Sequence, residues 1–212
     1  MIESLRESNG GAVAFIMGRR VADVDRLFPG TRLAVAGQHG VERRSLAGRT
    51  FRHSFPSARL DTVRRQLAAA VARHPGLLLE DKGLSVALHY RAATNLASYA
   101  HRLARMSAAS LGTGYCVQSG KRVVEMKPTG RHKGIAILEF MQEEPFHGRM
   151  PVFIGDDVTD EYGFATVNRL DGYSVKVGPG RTVARWRFQN ARAVRAWLEQ
   201  STATFRARRR AS

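Results

Sequence analysis

Cysteine is almost absent from this chain of 212 residues: Cys116 stands alone, which excludes an internal disulfide and any cysteine-based metal motif. Long apolar runs are missing too. None approaches the roughly 20 residues needed to span a bilayer. The opening MIESLRESNGG lacks the charged-then-apolar order of a signal peptide, so the cytoplasm is the expected compartment. No fixed-period repeat and no Pro-rich or Gly/Ser-rich linker divides the chain. Lysine and acid are both scarce. Only five of the 34 basic residues are lysines, and 18 acids leave a formal net charge of +16. That excess attracts anions, whether nucleic acid, acidic lipid or a phosphorylated small molecule, and does not choose among them. What is present, 43% hydrophobic residues and 8% aromatics, suits a folded domain and argues against global disorder.

Three short apolar stretches, GAVAFIM (11–17), RLAVAG (32–37) and PVFIGDD (151–157), read as strands buried on both faces, the kind found in parallel sheets covered by helices. Helical patterns lie between and after them, over 21–28, over 133–144, and beyond Asn190, which caps a helix carrying Val194, Trp197 and Leu198. Alternating strand and helix predicts an α/β core. The middle of the chain changes period. A helix over 57–73 and another over 93–111 alternate with two hairpins, LLLEDKGLSVALHYR, turning near Asp81–Gly83, and YCVQSGKRVVEMK, turning at Ser119–Gly120. In the first, Ser85, Ala87, His89 and Arg91 share one face; in the second, Val123, Glu125 and Lys127 do. An antiparallel sheet with one buried and one wet face is expected. The insertion predicts an α+β cap over 49–128 within a Rossmann-like parallel core of 1–48 and 129–212.

Four of the acids fall within six positions: Asp156, Asp157, Asp160 and Glu161, in GDDVTDE. A strand ends at Ile154, Gly155 turns the backbone, and the carboxylates project at the carboxyl end, where ligands of parallel α/β sheets bind. Thr159 is placed to cap the helix that follows. Hard oxygen donors in this arrangement suit Mg²⁺, which takes few protein carboxylates and keeps water and substrate phosphate as its other ligands. A helix first turn enriched in acids for the macrodipole is the alternative.

GDDVTDEYGF resembles the fourth, metal-binding motif of the haloacid-dehalogenase-like phosphatases, and within them of the trehalose-6-phosphate phosphatases. KPTGRHKGIAILEFM resembles the third motif, AGQHGVERR the segment after the second, and LEDKGLSVALHYR and VVEMKP the cap segments that hold the disaccharide. FHGRMPVFIGDD and YSVKVGPGRTVA extend the likeness across residues 11–200. The resemblance implies a hydrolase core with an inserted cap and Mg²⁺-dependent hydrolysis of trehalose 6-phosphate. It assigns the phosphoryl contact to Lys133 and the metal to Asp156, Asp157 and Asp160. Substrate contacts are implied for Gly18, Arg19, His39, Gly40, Glu42, Arg43, Glu80, Lys82, His89, Arg91, Glu125 and Lys127. For His39, Gly40, Glu42 and Arg43 a surface turn with solvated charges is the alternative reading, and part of the cap's polar set belongs to a wet face without a ligand.

The resemblance also implies an attacking aspartate and a second aspartate two positions later as general acid and base, in an Asp-x-Asp-Gly-Thr motif ending the first core strand. Before Met17 the acids are Glu3 and Glu7, and no apolar strand precedes either. FIMGRR matches the second motif, yet Met17 stands where Ser or Thr is implied and has no hydroxyl proton to donate. The expectation is therefore a core without its first strand and a chain inactive as written. Three origins stay open: a shortened phosphatase, a decayed copy, or a non-catalytic binder of sugar phosphates.

A nucleic-acid-binding protein is the rival class. The run Phe205-Arg-Ala-Arg-Arg-Arg reads as a disordered basic end beyond the last helix. The positive charge is spread along the chain, and no nucleic-acid motif or aromatic stacking set accompanies it. The expected state is a monomer meeting a small-molecule sugar phosphate. Arg149 is expected in a structural ion pair, Trp186 and Trp197 in ordinary packing, and Cys116 inert in a strand.

Overall fold

A strand–helix succession with a helix–hairpin insertion is what the chain adopts in a computed structural model, which describes residues 1–53 and 58–210, the side chains of 58 and 204–210 apart. In chain order, α1 (Ile2–Ser8) leads into β1 (Ala14–Ile16), α2 (Val21–Leu27), β2 (Ala34–Gly37), β3 (Glu42–Arg44) and β4 (Thr50–Arg52). Then come α3 (Ala58–Ala72), β5 (Leu78–Asp81), β6 (Val86–His89), α4 (Ala97–Leu111), β7 (Tyr115–Gly120) and β8 (Val123–Pro128). The chain returns through α5 (Lys133–Met141), β9 (Val152–Gly155), α6 (Glu161–Arg169), β10 (Tyr173–Val177), β11 (Trp186–Phe188) and α7 (Ala191–Arg210). Two units result, one of Met1–Phe51 with His132–Ser212 and one of Arg52–Arg131. The insert expected at 49–128 begins and ends three residues earlier than the second unit.

The first unit carries two sheets. One runs β1-β2-β3-β4, with β1 parallel to β2 and β3 antiparallel to it; the other runs β11-β10-β9, all parallel. The four residues of β2, AVAG, are buried on both faces, as helix-covered parallel strands require. Helix α5 lays Ala136 and Phe140 on Ala34 and Ala36. On the other face Val24 of α2 meets Leu33 and Val35, with Phe15 and Met17 beside them. Met17 thus packs with apolar neighbours. Strands β3, β4 and β11 are additions to the expected set. Their residues (ERR, TFR, WRF) carry polar side chains and are too short to show a period.

The second unit is a four-stranded antiparallel sheet in the order β5-β6-β8-β7. Helix α3 offers Leu60, Val63, Leu67 and Ala70 at helical spacing. Helix α4 buries Ala100, Ala104, Ser107 and Ala108, a stripe small enough to bring its backbone close to the sheet. These meet Val86, Leu88, Val124 and Met126 on one face.

Four local expectations are corrected. The second hairpin turns at Lys121–Arg122, because Gly120 stays paired with Val123 and Arg122 takes the left-handed conformation at φ 61°. The polar face of the sheet is not simply wet: Ser85, Glu125 and Lys127 are buried, bonded among neighbouring groups. Helix α7 continues through Arg210, since Arg, Ala and Gln favour helix and neither Gly nor Pro stops it; the side chains of its last turns lie outside the described residues. Trp186 and Trp197 remain 58% and 38% exposed, their rings tilted against those of Tyr173 and Phe188.

Candidate functional site

Beyond β1 and β2 the backbone makes a corner in which the loops hold one another. Gln38 N–H donates to the Arg19 carbonyl at 2.9 Å and His39 N–H to that of Met17 at 3.0 Å. Gln38 and His39 take φ of 48° and 59°, two successive left-handed residues, neither of them glycine. Each such residue costs about 1–3 kcal/mol and persists only when its surroundings fix it. Here they do. The His39 ring fills the space beside Gly18, where a Cβ would come within 2.9 Å of Nε2. A Cβ on Gly37 would strike the Arg19 carbonyl and the Glu42 carboxylate at 2.8 Å.

Glu42 and Arg43 are buried in this corner, 4% and 6% exposed. Glu42 Oε1 accepts from Val21 N–H at 2.6 Å, satisfying an amide that the first turn of α2 leaves without a helical partner. The Arg43 guanidinium reaches Glu139 at 3.2 Å and Glu143 at 2.8 Å and stacks 4.3 Å from the Phe51 ring centre. Both side chains thus tie the corner to α2 and to the residues of and just after α5. Arg19 extends into solvent.

Helix α5 packs against this corner and against the turn after β9, so its first turn joins the two. Lys133, 7% exposed, donates from Nζ to Asp160 Oδ1 at 2.6 Å. Asp160 Oδ2 accepts from Asp157 N–H at 2.8 Å, and Asp157 Oδ1 from Val158 N–H at 2.7 Å. Asp157, not Thr159, therefore caps the turn. Gly155 is required for proximity, since a Cβ there would lie 2.3 Å from Asp160 Cγ.

Asp156, Asp157 and Asp160 do not gather as a metal-binding trio; among the described residues no three His, Cys, Asp or Glu do. Hydrogen bonds within the loop occupy Asp157 and Asp160. Asp156 differs. It is exposed and borders a cavity of about 420 Å³ that Gly155, Val177 and, from α7, Val194 and Arg195 also line. The rest of that lining is apolar apart from Gly155 and the Arg195 cation, so the cavity offers a cation a single carboxylate.

Lys176 joins this loop as well, although no motif singles it out. It lies on β10 opposite Gly155 of β9, is 5% exposed, and donates from Nζ to the Asp156 carbonyl at 2.5 Å. Its signal was a lysine alternating with buried valines in YSVKV.

In the second unit Lys82 Nζ meets Glu125 Oε2 at 3.1 Å, and Ser85 Oγ donates to Oε1 at 2.7 Å. His89 lies 2.7 Å from Glu80 at the exposed sheet edge. Lys127 Nζ donates to the Arg131 carbonyl at 2.8 Å, and Arg91 is exposed. Burial raises the Tyr115 phenol above its ordinary pKa. Away from both groups, hydrogen bonds from Arg44 hold the Asp25 carboxyl below its ordinary value. Arg149 ends on the Asn9 carbonyl at 3.0 Å, where an ion pair was expected.

The family described as Trehalose-phosphatase matches residues 2–193. The Trehalose-6-phosphate phosphatase of Escherichia coli (strain K12) is 44% identical over 212 residues, covering 98% of this chain and 78% of the relative. Among solved structures, the C-terminal domain of Candida albicans trehalose-6-phosphate phosphatase matches 96% of this chain and 83% of its own, with a TM-score of 0.81 at 20% identity. A haloacid-dehalogenase-like hydrolase from B. subtilis matches 93% and 91%, with a TM-score of 0.64 at 13% identity. These two likenesses bear on the fold: a parallel-sheet hydrolase core with an inserted α+β unit.

Proposed function

Since the chain belongs to the trehalose-phosphatase family, we propose that residues 1–212 bind trehalose 6-phosphate together with Mg²⁺ and do not hydrolyse it by themselves. The observation that carries the binding half is the meeting of Lys133, on the first turn of α5, with the Asp156–Asp160 loop after β9. Lys133 supplies a positive charge that Asp160 holds in place, and the amino-terminal end of α5 favours a phosphate oxygen. Arg19 adds a second, exposed cation. Bound through Asp156, Mg²⁺ would neutralise phosphoryl oxygens.

In the second unit, Lys82, Ser85 and Glu125 offer the paired donors and acceptors that sugar hydroxyls require, and we assign recognition of the disaccharide to them. Glu42 and Arg43 are assigned to holding the corner after β2 and not to touching substrate. The catalytic half has less to draw on. Glu3 and Glu7 are the acids before Met17, both on α1, and Glu3 pairs with Arg6 at 3.0 Å. Met17 has no proton for a phosphoryl oxygen.

Two measurements on the purified chain test this reading. Trehalose 6-phosphate with Mg²⁺ should raise Tm, as any ligand of the native state does, and trehalose alone should raise it less. Phosphate release from the same mixture should not exceed a buffer control. An unchanged Tm would remove the binding assignment; release above the control would show that an attacking group is present.

A further inference from the structure

Two aromatic rings that lie thirteen residues apart in sequence are brought together by the sheet β11-β10-β9. Tyr173 pairs with Val152 of β9, and Val175, two residues on, pairs with Trp186 of β11. Alternation along a strand therefore puts Val152, Tyr173 and Trp186 on one face. Helix α6 lies on the other, where Ser174 bonds Asn168 and Phe153 fills the space beside Gly163. On the aromatic face α7 reaches Ile154, Val177 and Phe188, toward the carboxyl ends of the three strands. The amino ends stay open: Val152, Tyr173 and Trp186 each leave about half of their surface to water. The two rings stand 6.3 Å apart between centres, with their planes tilted by 46°.

Charge gathers around the same strands. From Arg169 to the end of the chain, eleven basic residues stand against two acids, Asp171 and Glu199, which is more than half of the net charge of +16. Arg185 and Arg187 flank Trp186 on the edge strand β11, and they donate to main-chain carbonyls, those of Asn168 at 3.2 Å and Gly180 at 2.8 Å. No carboxylate cancels either cation in those contacts. Exposed rings on a sheet face, edged by arginine, suit a ligand that has flat faces and repeated negative charge. A duplex keeps its bases stacked on one another; a single strand can turn them out onto rings. A lipid surface would answer the charge, but it asks for more apolar area than three half-exposed side chains offer. We propose that the open end of this face binds single-stranded nucleic acid, with Tyr173 and Trp186 stacking on bases and Arg185 and Arg187 meeting phosphates. The face lies toward the strand ends away from the acidic loop, so the proposal does not rest on the sugar-phosphate reading.

The test titrates the full chain into a labelled oligothymidylate of roughly 16 nucleotides, and into its duplex with oligoadenylate, and follows fluorescence anisotropy. Charge alone would favour the duplex, which is denser in phosphate. Wild type should instead prefer the single strand and bind it more weakly as salt rises. Trp186→Ala and Tyr173→Ala should each weaken binding about fivefold or more at unchanged Tm, and Trp186→Phe, which keeps a ring, should retain most of it. Arg185→Gln should flatten the log–log salt dependence by about 0.7. Wild type that does not bind, or binds the duplex as well, would overturn the proposal. So would Trp186→Ala and Tyr173→Ala proteins with wild-type affinity, which would leave the attraction to charge alone. Binding to phosphatidylserine vesicles that is lost in Trp186→Ala, with strand binding intact, would assign the face to a lipid surface and also overturn it. If Trp186→Ala does not fold, Tyr173→Ala decides in the same way.

Discussion

The second unit keeps its interior in one cluster that runs from Leu60 on α3 through Val86, Leu88, Ala104 and Val124 to Met126 on β8. The first unit divides its interior, with Ala34, Ala36, Ala136 and Phe140 on one side of β2 and Val24, Leu33 and Val35 on the other. The sheets differ in the same way. The second unit gathers its four strands in one sheet, β5-β6-β8-β7, whereas the first spreads its strands over two, β1-β2-β3-β4 and β11-β10-β9. What joins the loops of the first unit is polar: Glu42 on the start of α2, Arg43 between Glu139 and Glu143, and Lys133 on Asp160. One unit is held mainly by apolar area, which needs no exact geometry. The other is held by buried bonds that fail when one partner is removed.

Three substitutions sharpen that contrast. Lys133→Met should be the most damaging, at about 4 kcal/mol, because it leaves Asp160 buried and unpaired. Urea unfolding measures it, and a loss below about 1 kcal/mol, the scale of exposed pairs, would mean that the polar bonds do not carry the first unit. Leu67→Ala should cost about 3 kcal/mol through lost transfer energy and the cavity left behind. A cost well under that would show a cluster able to collapse around the gap.

The smallest effect concerns pH. Burial keeps the Tyr115 phenol protonated above its ordinary value of 10.0, whereas the unfolded chain ionises at that value. Stability is therefore full below pH 10 and falls as the pH rises toward the folded value. Tyr115→Phe should lack this decline, so the gap in Tm between the two proteins should change above pH 10. Parallel profiles would refute it.

The apolar elements were legible because burial leaves a period. RLAVAG is apolar on both faces and its strand is buried throughout. GAVAFIM and PVFIG, apolar in the same way, form strands that are only half-buried, with Val152 exposed. Leu60, Val63 and Leu67 recur at helical spacing. Polar residues that turn inward leave no such trace. Glu42 and Arg43 read as substrate contacts or, alternatively, as an exposed turn, and only their partners, twenty-one residues back on α2 and near residue 140 on α5, explain their burial. Lys176 was hidden in the same way. At the acidic loop two residues could cap, and the sequence does not say that Asp157 would outcompete Thr159. Nor does Ser119–Gly120 reveal that its strand continues and that Lys121–Arg122 makes the turn. Site residues were thus found by type and neighbourhood, while their division into those that hold the loops and those left open needed coordinates.

The fit of His39 against Gly18 has a consequence for how this chain can vary. The imidazole stands where a side chain at position 18 would begin, so the two positions are sterically coupled. A residue larger than glycine at 18 requires the His39 ring to move aside or to be replaced by something smaller, and a small residue at 39 releases the constraint on 18. Among descendants of this sequence, changes at the two positions are therefore expected to go together.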